Sequence, residues 1–412
     1  MENKIKMRYP LYLKEFKCIG GSCEDSCCIG WDVDIDKSTF KQYYKVQDKD
    51  MKKMFQKNVS NNNNYSYAEV DYGKVKLKDG KRCPFLDEDN YCIIYSKLGE
   101  EYLSNVCTSF PRITNKIDGY YEMSLDVACP EAARILLLKK DGIEFTESEE
   151  ILGKHILSSD IDTKAKEFNN SPIKYLKQIR DFSIKTIKNR EFDLSKRIFI
   201  LGDFLEKLEE ELNKNYTGVS KFINEYEINS VNDCYETDTS NYTFQVSFFK
   251  KMVEDLDVFN EVDSISFQEY TEELIAGLTF DETQNINKCS EMYKEGFDCY
   301  FEKFINDNSH IFENYLVNFM YRNLFPFSET ESVFDGYIML LIRYSFIRFY
   351  LVGIFSFNKQ SSVDNMVRFI QVFSKTTEHH KTYLSDVLDN VKKNRFNNME
   401  FAKKILFLKR KI

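Results

Sequence analysis

FKCIGGSCEDSCCIGWDVDIDKSTFKQY, residues Phe16 to Tyr43, carries four cysteines in the spacing C-x4-C-x3-C-C. The pattern continues in CPFLDEDNYC, Cys83 to Cys92, then at Cys107 and at Cys129-Pro130. Eight of the eleven cysteines, Cys18, Cys23, Cys27, Cys28, Cys83, Cys92, Cys107 and Cys129, therefore lie within the first 130 residues, together with four of the six prolines. Thiols and chain-punctuating prolines at this density define a compact, loop-rich module built around its cysteines.

The N-terminal run MENKIKMRYPLYLKEFKC mixes charges with single apolar residues and has no continuous apolar stretch of the secretory type. A reducing cytoplasm is the expected compartment, where clustered thiols bind metal or do redox chemistry rather than form disulfides. No histidine precedes His155. An ion held wholly within the module thus has thiolate ligands, supplemented at most by carboxylate, backbone or exogenous groups. Soft thiolates select zinc, copper(I) or iron–sulfur clusters. Structural zinc sites usually contain C-x2-C knuckles, and this chain has none. Adjacent Cys27 and Cys28 project differently from the backbone, which suits a larger cluster or two centres. Cys-Pro at Cys83 and Cys129 resembles the end of a bacterial ferredoxin run. The expectation is an iron–sulfur cluster of the 4Fe-4S type on these eight cysteines, with zinc as the alternative. Arg82 and Arg112 are candidates to offset thiolate charge, Trp31 to shield the centre from water, and Cys129 to sit at a helix N-terminus where the dipole favours a thiolate.

The rest of the chain differs in kind. Of 57 Lys plus Arg and 66 Asp plus Glu, 23 and 23 lie within the first 145 residues and 34 and 43 follow, so the net charge of −9 belongs to the later part. A phosphate-neutralising surface needs a basic excess, so a nucleic-acid partner is not expected. Only fifteen glycines and six prolines among 412 residues leave few helix breakers. The fold class expected is mainly α: a Cys-rich α+β metal-binding module at 1–145, followed by an all-α helical domain at 146–412. Leu194, Ile198, Leu201, Leu205, Leu208 and Leu212 mark an amphipathic helix, and further helices are expected at 246–258, 264–278, 288–306, 309–324, 333–357, 362–374, 379–393 and 397–409. Segment 214–244 reads as a loop. YIMLLIRYSFIRFYLVGIF, Tyr337 to Phe355, is apolar, but Arg343 and Arg348 interrupt it. Each arginine is costly at mid-bilayer, so this is a buried core helix rather than a membrane span; the arginines are expected to pair with core acids, or else to hold a cofactor carboxylate. Within the module, helices are expected from Asp36 or Ser38 towards Val46, over Ser96–Val106 and from Pro130, with short strands in YAEVDYGKVKLKDG and a hairpin in RITNKIDGYYEMSL turning at Asp118-Gly119.

The same residues carry a family likeness. FKCIGGSCEDSCCIGWDVDIDKSTFKQY, CPFLDEDNYCIIYSKLGEEYLSNVCTSFPR (Cys83 to Arg112) and LDVACPEAARIL (Leu125 to Leu136) resemble the flagellin lysine-N-methylases, within the wider CxxCxxCC group of metal-chelating proteins. ENYLVNFMYRNLFPF (Glu313 to Phe327) and the apolar helix add less distinctive matches. The gaps of four and three residues are wider than a literal C-x2-C-x2-CC. The resemblance implies methyl transfer from S-adenosylmethionine to the ε-amine of flagellin surface lysines, by a protein carrying an iron–sulfur cluster.

Two known ways of using that donor are not encoded. A radical enzyme has C-x3-C-x2-C, and after Cys23 and Cys27 the third position is Gly30. A Rossmann methyltransferase needs a Gly-rich turn after an apolar strand, and no G-x-G occurs. Neither catalytic nor donor-binding residues are therefore assigned. Asn318, Tyr321, Arg322 and Asn323 read as the end of a packed helix, His379-His380 as surface residues, His155 and His310 as isolated, and Cys234, Cys289 and Cys299 as buried thiols. Two rival functions remain: a non-catalytic metal-binding or electron-transfer protein, and a zinc-stabilised interaction scaffold.

Overall fold

The computed structural model describes residues 4–63, 70–151, 153–154, 156–214, 216–227, 240–280, 285–378 and 381–408. The chain forms two compact units, Met1–Ile135 with Glu144–Asp162, and Leu136–Ile143 with Thr163–Ile412.

The first unit is α+β. Its strands and helices are β1 (Lys4–Pro10), β2 (Asp34–Ile35), α1 (Lys37–Lys45), α2 (Lys49–Asn58), β3 (Val59–Asn61), β4 (Gly73–Val75), α3 (Ile93–Leu98), α4 (Asn105–Ser109), β5 (Arg112–Ile117), β6 (Tyr120–Leu125), α5 (Pro130–Leu137), β7 (Phe145–Ile151) and β8 (Leu157–Ile161). A five-stranded mixed sheet has the order β7-β1-β6-β5-β8, and β2-β4-β3 form a small second sheet. The β5–β6 hairpin turns at Asp118-Gly119, both at positive φ (51° and 83°), as the sequence predicts for a tight hairpin. Strand β1 pairs antiparallel with β7, from Lys4 opposite Ile151 to Pro10 opposite Phe145, and parallel with β6.

Three expectations need correction. The boundary expected near residue 145 falls at Asp162 instead, because β7 and β8 complete the first unit's sheet. The helix expected over Ser96–Val106 is broken: α3 stops at Gly99, whose φ of 94° a helix cannot continue, and α4 starts afresh from a Ser104 cap. The loop expected at 214–244 contains α8 (Val219–Glu225), while residues 228–239 lie outside the described set.

The second unit is helical throughout its described residues. Besides α8 it contains α6 (Leu176–Ile187), α7 (Leu194–Lys214), α9 (Ser240–Asp255), α10 (Val258–Glu261), α11 (Ile265–Leu278), α12 (Ile286–Gly296), α13 (Glu302–Arg322), α14 (Val333–Asn358), α15 (Val363–Thr377), α16 (Lys381–Lys393) and α17 (Met399–Leu406). Helix α14 is buried from Val333 to Ser356 and packs on α7, α11, α12, α15 and α17. It is long and apolar enough to cross a bilayer, yet its whole apolar window is buried inside the protein. Its two arginines are neutralised differently. Arg343 meets Glu329 at 2.9 Å and lies over the Phe319 ring at 4.2 Å, as expected for a core acid partner. Arg348 finds no acid among the described residues; it donates to the Leu406 carbonyl (2.9 Å), the Ile405 carbonyl and Gln245 Oε1 (3.0 Å), and so binds the C-terminal end of α17. On α13, buried Glu313 takes Arg197 at 2.6 Å and Arg190 at 2.9 Å.

Helices α11 and α14 cross with glycine on both sides. A Cβ on Gly277 would lie 2.1 Å from the Gly353 carbonyl oxygen. Replacing a helix-interior glycine by alanine ordinarily gains about 1 kcal/mol. Here Gly277→Ala is expected to lose about 1–3 kcal/mol, because backbone must move to admit the methyl group; a stabilised variant in urea unfolding would refute this close approach.

Candidate metal centre

The thiols are carried by four separate pieces of chain, and local geometry draws each piece towards the others. Cys18 and Cys23 flank a single 3-10 turn in which Ser22 N–H donates to the Ile19 carbonyl (3.3 Å) and Cys23 N–H to the Gly20 carbonyl (3.0 Å). The loop 87–91 presses on this turn: a Cβ on Gly21 would lie 2.2 Å from the Asp89 carbonyl oxygen, so only glycine fits. Cys28 is tied to the next piece by Cys83 N–H donating to its carbonyl at 2.9 Å, with Gly30 N–H reaching the Lys81 carbonyl at 3.1 Å. A turn at Cys83–Leu86 and Ile93 N–H on the Phe85 carbonyl (2.8 Å) then bring Cys92 back beside Cys83. Beneath them Ile35, Tyr43, Met51, Phe55, Phe85 and Ile94 form an apolar core that includes Cys83 and packs against Cys28 and Cys92.

Cys107 is placed by a clamp that sequence reasoning found only in part. Asp36 caps α1, its Oδ1 accepting from Thr39 N–H at 2.9 Å, as its position before the helix predicts. Its other oxygen accepts from Asn105 N–H at 3.0 Å, fixing the first turn of α4, where Cys107 sits. That contact spans 69 residues and has no local sequence signal. Cys129 stands immediately before α5, as expected, with Ala133 N–H on its carbonyl at 2.9 Å.

All eight cysteines are free thiols, and seven carry resolved electrostatic shifts to which neighbouring sulfurs contribute. Cys28, Cys83, Cys92 and Cys107 interact pairwise in every combination. Cys18, Cys23 and Cys129 form a second mutually interacting set. Cys27 senses Cys28, Cys107 and Cys129, and so joins the two. Burial, reinforced by neighbouring sulfurs, pushes Cys83 and Cys129 up to about 12 and raises Cys23 and Cys92. The Cys27 thiol donates to Cys28, which lowers Cys28 to about 7 and raises Cys27. Backbone N–H groups two residues further along point at four sulfurs: Asp25 at Cys23, Phe85 at Cys83, Ile94 at Cys92 and Glu131 at Cys129. Such donors favour the thiolate form. Positive charge is scarce by comparison. Arg82 lowers Cys28 and Cys83 while its own donors hold Asn90 and the Asp87 carbonyl; Arg112 lies over the Phe16 ring.

Thiols in this number, met by amide donors but almost no cations, are a donor set that a soft metal completes, since only the ion's own charge lets several sulfurs ionise together. By exposure Cys83 is buried, Cys23, Cys28, Cys92 and Cys129 half-buried, and Cys18, Cys27 and Cys107 exposed, so the set is reachable from solvent. Among the described residues no three His, Cys, Asp or Glu side chains stand in ligating geometry: the sulfurs are gathered but not closed around a point. Trp31 packs edge-on against Phe110, just beyond α4. In the second unit Cys289 is buried, Cys299 is exposed, and His310 is lowered by burial and by Arg190 and Lys140. Arg322 pairs with Glu378 and Arg180 lies over Tyr321, so that helix end is packing, as expected. Cys234, His155, His379 and His380 lie outside the described residues.

A thiol-gathering module on one unit and an all-helical body on the other define a metal-binding protein with a separate helical domain. Residues 180–405 match the FliB lysine N-methylase C-terminal domain, and residues 17–130 match the CxxCxxCC family, described as "Putative zinc- or iron-chelating domain". The chain belongs to the FliB lysine N-methylase family. It is 32% identical over 158 residues to "Flagellar biosynthetic protein FliU" of Salmonella muenchen, covering 37% of this chain and 90% of that one. It is 32% identical over 148 residues to "Lysine-N-methylase" of Salmonella typhimurium and, equally, to that of Salmonella choleraesuis. Each of those alignments covers 35% of this chain and 35% of the relative, so the match spans about a third of the two lysine-N-methylases. No solved structure matches the chain.

The Asp36 clamp has a pH signature. Burial raises its carboxyl, but hydrogen bonds from Ser38, Thr39 and Asn105 outweigh this and leave it below the usual range. A depressed acid contributes stability above its unfolded value, near 3.9, and loses it as pH falls through the folded value. Asp36→Asn keeps the α1 cap but sets an amide N–H2 against Asn105 N–H. It is expected to cost about 1–2 kcal/mol at pH 7, with the gap to wild type narrowing below about pH 4. Denaturant titrations at pH 7 and pH 3.5 that show equal gaps would exclude the clamp.

Proposed function

We propose that the protein is a protein-lysine N-methyltransferase that acts on surface lysines of flagellin in the cytoplasm, uses S-adenosylmethionine, and carries an iron–sulfur cluster in its first unit. The observation that carries this reading is the joint match of one chain to a lysine N-methylase domain and to a metal-chelating domain. The flagellin substrate is supported by the flagellar naming of a relative that this chain covers almost completely.

The donor supplies an electrophilic methyl: an N–C bond forms as the S–C bond breaks with its electron pair left on sulfur, and the ammonium proton passes to solvent. The protein has to hold the lysine amine neutral, align it and exclude water. For the metal, the candidate ligands are Cys28, Cys83 and Cys92 at the apolar core with Cys107 beside them, and Cys18, Cys23, Cys129 and the linking Cys27. A cluster held by these thiols would bring positive charge, and redox capacity if used, to sulfurs on which, among the described residues, Arg82 acts at Cys28 and Cys83. Backbone donors at Cys23, Cys83, Cys92 and Cys129 are suited to tuning thiolates of this kind.

Purified metal-loaded protein incubated with S-adenosylmethionine and unmodified flagellin is expected to add mass in 14 Da steps, on the order of one or more methyl groups per modified lysine, mapped by peptide mass spectrometry. Unmodified flagellin with the metal centre intact would reject the transferase reading in favour of a metal-binding or electron-transfer protein. Anaerobic preparations are expected to be brown and to contain iron with acid-labile sulfide, and Cys83→Ser to lose most of that metal while Cys289→Ser keeps it. Colourless protein containing zinc alone would replace the cluster with a zinc-stabilised scaffold.

A further inference from the structure

A cavity of about 530 Å³ lies in the second unit between α9, α16 and the turn that follows α16. That is the size of a small-molecule site rather than of one side chain. Its wall is aromatic: Phe244 and Phe248 meet Phe396 edge-on, with centroids 5.6 and 5.9 Å apart, and Phe396 is stacked on Phe401 at 5.1 Å. Tyr383 on α16 reaches the Met252 carbonyl of α9 at 3.5 Å and holds the two helices together at its edge.

The polar groups on this apolar wall are unequal in charge. Asp255 is neutralised by Lys251 at 2.5 Å. Asp386 makes no ion pair among the described residues, and Asn390 lies one helical turn further on. The cavity thus offers flat rings for a planar base, a carboxylate and an amide for hydroxyl and amine donors, and one uncompensated negative charge. An adenosyl sulfonium has the matching parts: a stacking purine, a ribose diol that carboxylates bind, and a cation that aromatic faces and carboxylates both favour. All the lining residues fall inside 180–405, the stretch that matches the lysine N-methylase domain.

We infer that this α9–α16 cavity binds the methyl donor, with Phe244, Phe248 and Phe396 against the adenine and Asp386 towards the ribose or sulfonium. The inference rests on the methyltransferase reading above and gives it a place. A lysine side chain alone would fill only a small part of the volume.

The test is calorimetry of the metal-loaded full chain with S-adenosylmethionine and S-adenosylhomocysteine. Wild type is expected to bind both. Asp386→Asn, at an exposed position, is expected to weaken S-adenosylmethionine at least tenfold and the neutral thioether less. Ser247→Trp, which fills the mouth from another exposed position, is expected to weaken both tenfold or more. Unchanged unfolding midpoints show that the variants fold. If wild type binds the donor and both variants bind it equally, the cavity is not the donor site while the methyltransferase reading stands. If the variants keep donor affinity but lose methylation of flagellin, the cavity receives the substrate instead and this assignment is overturned. If wild type binds neither compound, the methyl-donor reading fails and the cavity assignment falls with it.

Discussion

The hydrogen bond from Cys83 N–H to the Cys28 carbonyl, 2.9 Å long, joins two chain segments 55 positions apart and sets the geometry of the first unit. With Gly30 and Lys81 it forms a short zipper that places Cys28 and Cys83 side by side. The 83–92 turn then returns Cys92 to the same place, and α1 and α2 supply the apolar floor on which all three rest. The cost of this arrangement is electrostatic. Sulfurs forced together and away from water resist ionisation, as the upward shifts of Cys83 and Cys129 express, and the sequence provides few cations to relieve them. Conformational entropy spent on converging four segments is recovered in part by burying Tyr43, Met51, Phe55 and Phe85, whose side chains contribute about 1.5–3 kcal/mol each when fully buried.

In the second unit the corresponding constraint is that α14 has no solvent face over 24 consecutive residues. A helix apolar all round must be enclosed by other helices, and the glycine pair at its crossing with α11 lets one of them come close. Its polar residues then need internal partners. Arg343 takes an acid from the segment preceding its own helix, whereas Arg348 takes the carbonyl end of α17, a partner of partial rather than full charge. This explains why the two arginines interrupt an otherwise membrane-like sequence without exposing it.

Much of this was legible from the chain. Periodicity located α7, α11, α15 and α16, because their apolar faces repeat over many turns, and α14 was legible as one long apolar run. The Asp118-Gly119 turn and the Asp36 and Pro130 helix starts were legible because each depends on a residue's own backbone chemistry. Strand β1 was not, since KIKMRYP becomes a strand by pairing with residues 145–151 and 120–125 far along the chain. The same non-locality hid the second arm of the Asp36 clamp and the α9–α16 cavity, whose walls come from segments more than a hundred residues apart. The cysteines themselves were legible as a set. Their division into two mutually interacting groups was not, because it depends on which loops fold back.

The wide spacing of the first four cysteines follows from this folding back. In a literal C-x2-C run, two sulfurs face one ion from a single tight turn. Here four residues separate Cys18 from Cys23, and the extra length is taken up by the 3-10 turn at Gly20–Ser22, whose own hydrogen bonds close it into a knob. Cys18 and Cys23 remain within electrostatic reach of each other across it. The knob can be this compact because Gly20 adopts a positive φ of 57° and Gly21 admits the Asp89 carbonyl where a Cβ would stand. The wide gap therefore serves a second purpose: it carries the loop bearing Cys92 against the loop bearing Cys18, and Cys92 senses Cys18 as well as its own group. Spacing in the sequence and proximity of the sulfurs are thus decoupled, and ligand sets in this module follow from turn closure rather than from counting residues between cysteines.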